Sequence, residues 1–153
     1  MANRAGLTFG TVKYGYRYGA RTMVSMPVAA SEVFKDNGGK FISTRDTAGY
    51  VTVVGTDGDY ISGWAETGDY TSDATAGQDW IDVDVSTDSV YYIPADATVT
   101  QAMVGLNMDI TVSSNVQSAQ TAASTDDLLI CVGVDIPNQA VLVKINPTQQ
   151  GST

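Results

Sequence analysis

The 153-residue chain contains no histidine and a single cysteine, Cys131. Without an imidazole, the usual serine and cysteine hydrolase triads lack their general base, and zinc sites lack their commonest ligand. One cysteine closes no internal disulfide, and a chain this long buries roughly two thirds of its unfolded surface without one. Glutamate occurs only at Glu32 and Glu66. No apolar run approaches the roughly 18 residues a membrane-spanning helix needs, so no membrane association is expected. The N-terminus shows no apolar stretch followed by small residues, so nothing marks the chain for secretion by that route and synthesis in the cytosol is expected. Phosphate-loop and dinucleotide-binding glycine patterns are missing as well.

Basic residues are scarce outside one region. Residues 1–45 hold Arg4, Lys13, Arg17, Arg21, Lys35, Lys40 and Arg45 against Glu32 and Asp36, a balance of +5. Residues 46–153 carry Lys144 against fifteen acids, a balance of -14. A basic end on an acidic body implies that the two face different surroundings, or each other in an oligomer. Within the basic end, Lys13-Tyr14-Gly15-Tyr16-Arg17-Tyr18-Gly19 interleaves bases, glycines and tyrosines. Such a stretch can stack nucleic-acid bases, but three cations on a protein with a pI near 4.1 argue against a phosphate backbone as partner. At strand spacing, Tyr14, Tyr16 and Tyr18 share one face, which describes an extended arm laying tyrosines on another protein surface. The expected organisation is an arm over residues 1–22 and a single β domain over 23–153. The expected contact residues are Arg4, Lys13, Tyr14, Tyr16, Arg17, Tyr18 and Arg21.

Beyond the arm, residues 24–33 suggest a loop or a helical turn. Val33–Asp36 and Lys40–Ser43 flank Asn37-Gly38-Gly39, which predicts a hairpin. Tyr50–Val54 reads as a strand ended by the turn at 55–58, and Tyr60–Ala65 as another. Residues 66–78 are too rich in Gly, Asp, Ser and Thr to supply a core face and read as an exposed connection. In Trp80–Val85 the alternation predicts Ile81, Val83 and Val85 inward, with Trp80, Asp82 and Asp84 outward. Further strands are expected at 90–93, 99–104, 108–112, 128–134 and 140–145. No helical stripe appears, so the fold class is all-β, a small barrel or sandwich of short strands with an extended N-terminal arm.

Two clusters invite a chemical reading. Asp57 with Asp59, and Asp79 with Asp82 and Asp84, resemble cation ligands, but neither has the spacing or closing Glu of an EF-hand loop. They read as solvated faces and turns, and no metal or other cofactor is expected. Asp82 and Asp84, about 7 Å apart on one strand face, are also the pair that glycoside hydrolysis would use, but such sites need a cleft lined by aromatics. Cys131 lies in the apolar run Leu128–Val134 and reads as a core residue. The expectation is a protein that is not an enzyme.

The second half resembles the head decoration, or capsid cement, proteins of tailed bacteriophages. The similarity is carried by Tyr60-Ile61-Ser62-Gly63-Trp64-Ala65, Ala76-Gly77-Gln78-Asp79-Trp80-Ile81-Asp82-Val83, Tyr91-Tyr92-Ile93-Pro94-Ala95, and Val132-Gly133-Val134-Asp135 leading to Val141-Leu142-Val143-Lys144-Ile145. It covers about residues 50–147, and residues 1–45 do not match the family pattern. The resemblance implies a small barrel without an active site, a homotrimer on the outside of the virion, and the major capsid protein as partner. Two alternatives stay open. One is another virion component, a spike or a minor capsid protein. The other is a carbohydrate-binding β module using Trp64, Trp80, Tyr91 and Tyr92 as a stacking platform and the aspartates for calcium.

Overall fold

A computed structural model describes residues 14–35, 39–56, 58, 60–122 and 126–150. Within them run thirteen strands: β1 (Gly15–Tyr18), β2 (Met23–Pro27), β3 (Val33–Phe34), β4 (Gly39–Thr47), β5 (Tyr50–Val53), β6 (Gly63–Glu66), β7 (Tyr70–Thr71), β8 (Trp80–Asp84), β9 (Val90–Pro94), β10 (Asn107–Ser113), β11 (Val116–Gln120), β12 (Leu129–Asp135) and β13 (Ala140–Ile145). The described residues hold no α-helix, only 3-10 turns at Gln101–Met103 and Pro147–Gln149. The all-β expectation is met.

Three antiparallel sheets result. A six-stranded sheet runs in the order β1-β9-β13-β12-β10-β11, a five-stranded sheet in the order β2-β8-β6-β4-β5, and β3 pairs with β7. Both large sheets curl. In the first, Ala95 bridges Ala119 and the Asp96 N–H donates to the Ala119 carbonyl (2.9 Å), drawing β11 back toward the end of β9. In the second, Val28 bridges Val51 and the Ala29 N–H donates to the Val51 carbonyl (3.0 Å), joining the end of β2 to β5.

Strand alternation explains why the five-stranded sheet is buried on both faces. Phe41, Ile61 and Trp64 join a core built mainly from Tyr91, Ile93, Met108, Ile110, Leu129, Val141, Val143 and Ile145 of the six-stranded sheet. Their neighbours Ile42, Ala65 and Val83 point the other way, into a second core with Val28, Phe34 and Val51. Aromatic rings fill the junction: Trp64 stacks on Tyr91 (4.9 Å between centroids), and Phe41 meets both edge-on at 4.7 and 5.3 Å.

Several expectations are corrected. The stretch at 33–43 is not a hairpin, because β3 pairs with β7 while β4 is flanked by β5 and β6. Residues 99–104 form no strand. The Gly105 N–H donates to the Cys131 carbonyl and the Cys131 N–H to the Leu106 carbonyl, and β12 has β10 and β13 on its two sides, so no place in the sheet is left. The chain instead buries Val99 and turns through Gln101–Met103. The connection 66–78 carries β7, whose Tyr70 packs on Phe34. Residues 23–27, within and beside a stretch read as loop or turn, form β2. β11 is a strand the polar run Val-Gln-Ser-Ala-Gln did not suggest. It is fixed by the two-residue turn Ser114-Asn115, both at positive φ (50° and 67°), the geometry a tight hairpin requires.

Candidate functional site

The expected boundary at residue 22 is not where the body begins. β1 pairs with β9 through Gly15↔Tyr92, Tyr16↔Tyr91 and Tyr18↔Val90, so residues 15–18 are an edge strand of the six-stranded sheet. Four residues later β2 opens as an edge strand of the five-stranded sheet, against β8. The N-terminal region thus supplies one edge to each sheet.

This placement divides the predicted contact residues. Tyr14 lies 5.5 Å from Trp64 and Tyr16 lies 6.2 Å, edge-on, from Tyr91, so both rings belong to this chain's own core. Each is partly buried against that core. The register shift between Tyr16 and Tyr18 breaks the alternation on which a common tyrosine face depended, and Tyr18 stands 56% exposed. Arg17 is exposed, with its guanidinium 5.7 Å from the Tyr92 ring. Arg4 and Lys13 lie outside the described residues.

Arg21 is engaged inside the molecule. Its Nε donates to Asp84 Oδ2 at 3.3 Å, Nη1 lies 3.8 Å from Glu66 Oε1, and its guanidinium sits 4.1 Å over the Tyr16 ring. Asp84, expected to face outward, is wholly buried. It shares a sheet face with Asp82, but the six-stranded sheet covers that face at Asp84 only. The Tyr91 hydroxyl donates to Oδ2 (2.6 Å), and the Thr22 and Ser86 N–H groups donate to Oδ1 (3.0 and 3.1 Å). Burial alone would raise the Asp84 pKa. Hydrogen bonds from Tyr91, Ser89, Thr22 and Ser86 outweigh it and hold the carboxyl below the ordinary value. Burial, reinforced by the same carboxylate, pushes the Tyr91 hydroxyl up. The cluster fastens the crossover between the two edges.

That geometry removes two readings. A carboxylate saturated by donors from Arg21, Tyr91, Thr22 and Ser86 is neither a general acid nor an open cation ligand, so Asp82 and Asp84 form no hydrolytic or calcium pair. Asp57 and Asp59 lie outside the described residues. Among the described residues, no group of three or more acidic or cysteine side chains is placed to hold a metal ion. The carbohydrate platform is dismantled too, because Trp64, Tyr91 and Tyr92 are buried and only Trp80, at 60% exposure, faces outward.

What remains accessible is a ridge on the two edge strands and on β8, the strand next to β2. It comprises Arg17 and Tyr18 on β1, Met23 (49% exposed) on β2, and Trp80 on β8, opposite Pro27. Met23 was not singled out in the sequence, because its exposure follows from β2 being an edge strand. No helix among the described residues is long and apolar enough to cross a membrane. No protein-family model, curated protein or solved structure matches this chain.

Proposed function

We propose that the protein is a non-enzymatic structural protein that binds the outer surface of an expanded phage head, as a decoration or cement protein bridging capsomers. The observation that carries this reading is the ridge of Tyr18, Met23 and Trp80, large side chains exposed on the edge strands β1 and β2 and on β8 beside β2 in a small all-β body. Aromatic residues and Met are enriched in protein contacts, and sheet edges invite them. The partner is the major capsid protein, the working form is a homotrimer, and the site of action is the virion exterior after synthesis in the host cytoplasm. Neither nucleic acid nor membrane takes part.

The mechanism is mass action. A protein that binds the expanded shell and not its precursor stabilises that shell in proportion to occupancy and affinity. A trimer touching several capsomers adds avidity, because after the first contact the others are intramolecular. Arg17 is the basic residue on the ridge, so attachment weakens moderately as salt rises. Arg21 contributes through the fold, since its guanidinium is spent on Asp84 and Glu66.

Co-sedimentation with expanded heads assembled from the cognate capsid protein tests the reading. The wild type is expected to pellet with heads, and Tyr18→Ala combined with Trp80→Ala to lose binding at least tenfold while keeping its fold. Wild-type protein that stays in the supernatant overturns it.

A further inference from the structure

The Trp80 end of the ridge carries a carboxylate. β6 pairs with β8 only at Asp84 and Val83, so Trp80 and Asp82 have β2 as their strand neighbour, with Pro27 opposite the first and Ser25 opposite the second. Two residues apart on one strand, both side chains stand on the same sheet face, about 7 Å apart. Trp80 is 60% exposed, and Asp82 is exposed beside it. Among the described residues no cation reaches either of them: the ion pairs are those of Arg21 with Asp84 and Glu66, and the cations that lie over rings lie over tyrosines.

One step along that face, the chain shows what such a pair holds. Arg21 donates from Nε to Asp84 Oδ2 at 3.3 Å while its guanidinium sits 4.1 Å over the Tyr16 ring. The carboxylate supplies the charge and the ring an electron-rich plane, and a planar guanidinium answers both at once because it stacks and donates in its own plane. Arg17 and Arg45 also lie over rings, 5.7 Å from Tyr92 and 3.9 Å from Tyr60, so each described arginine has a tyrosine beneath it. Trp80 is the better cation-binding ring, and it repeats the ring-and-carboxylate arrangement on the open surface. Residues 46–153 carry a balance of -14, a field that draws positive charge to this face.

We infer that Trp80 and Asp82 seat an arginine side chain of the protein partner, its guanidinium stacked on the indole and hydrogen-bonded to the Asp82 carboxylate. Exposed Met23 on the neighbouring β2 supplies apolar cover beside the seat. Arginine is itself enriched at the energetic centres of protein contacts. The inference rests on the capsid reading for the identity of that partner, the major capsid protein; the chemistry of the seat is tested without it.

The test has two arms, both on full-length protein. In the first, an acetylated Gly-Arg-Gly-Arg-Gly peptide, which has no fluorescence of its own, is titrated while tryptophan emission is read. A saturable change that is absent in Trp80→Phe is expected, and the peptide with citrulline in place of arginine should give none. Asp82→Asn should weaken binding about fivefold. Asp96→Asn removes the same charge from an exposed residue after β9 and keeps an oxygen for the Thr121 N–H, so it should change binding by less than about twofold. In the second arm, Asp82→Asn should lose binding to expanded heads about fivefold, with circular dichroism unchanged. Equal binding of the citrulline peptide, or an Asp82→Asn that binds the arginine peptide no more weakly than Asp96→Asn, overturns the inference. So do heads that hold Asp82→Asn as tightly as the wild type, an outcome that leaves the capsid reading standing. Wild-type protein that ignores heads but binds the arginine peptide through Trp80 and Asp82 overturns the capsid reading and upholds the arginine seat.

Discussion

The carboxamide of Gln117 answers both backbone groups of Phe41: Oε1 accepts from the Phe41 N–H at 2.8 Å and Nε2 donates to the Phe41 carbonyl at 3.0 Å. Nε2 also donates to the Val54 carbonyl at 2.8 Å. A side chain on β11 thus behaves as one residue of a neighbouring strand and joins the two curled sheets where no ladder connects them. Gln117 is fully buried, so nothing in water replaces those bonds.

Gln117→Leu is therefore expected to destabilise the fold by about 2 kcal/mol, since the Phe41 N–H and the Val54 carbonyl lose their partner at about 1 kcal/mol or more each, while the Phe41 carbonyl keeps the Val54 N–H at 3.0 Å. Gln117→Glu should be worse near neutral pH, because a carboxylate offers no donor to the two carbonyls. Urea denaturation checks both. A loss below about 1 kcal/mol for Gln117→Leu would mean the sheets do not depend on this link.

Acid should loosen the crossover between β1 and β2. The folded pKa of Asp84 lies below its ordinary value, so its contribution is complete above the ordinary aspartate range near 3.8 and fades as pH falls through the folded value. Asp84→Asn should lose about 3 kcal/mol at neutral pH, by leaving Arg21 without its buried partner, and should flatten the acid limb of the stability curve. Melting temperatures of both proteins between pH 2 and 7 are the readout.

Glu32 carries the opposite sign. Burial raises its pKa, only partly offset by the Val53 N–H that donates to Oε1 at 2.7 Å. A raised folded pKa means that ionisation costs stability as pH rises through it. Glu32→Gln keeps an acceptor for that N–H and removes the charge, so the variant should equal or exceed the wild type at pH 7 and lose that advantage near pH 4. Parallel chemical denaturation at the two pH values decides it.

The two tryptophans should report separately. Trp64 is sealed in the aromatic junction and a Cβ on Gly39 would fall 2.4 Å from its Cζ2, whereas Trp80 is open to solvent. Trp80→Phe should leave blue-shifted emission that iodide barely quenches. Gly39→Ala should push the Trp64 ring aside, shift that emission to the red and cost about 1 to 3 kcal/mol. Unchanged emission in Gly39→Ala would show that the junction yields freely.

Much of the fold is legible in the chain because its strands alternate between apolar and turn-forming residues. β5, β8, β9, β10, β12 and β13 follow from that pattern alone. Asp84 and Gln117 do not. Each is a polar residue whose partners lie far along the chain, at Arg21 and Tyr91 for one and Phe41 and Val54 for the other, so no local period announces its burial. The arm failed for the same reason. Tyrosines at alternate positions look alike whether the surface they cover belongs to a partner or, as for Tyr14 and Tyr16, to Trp64 and Tyr91. The ridge became visible only once β1 and β2 were placed at two different sheet edges.

That placement also sets a clock. Gly15 finds its register partner at Tyr92 and Met23 at Asp84, so β1 and β2 cannot make these pairings until the middle of the chain is made. At translation speeds of roughly 5 to 20 residues per second, β1 waits about 4 to 15 seconds for β9 to be made. During that interval β1 with its tyrosines and the uncharged, partly apolar β2 travel unpaired. The nascent protein is thus most open to chaperones, and to premature contact with a sister chain, at β1 and β2.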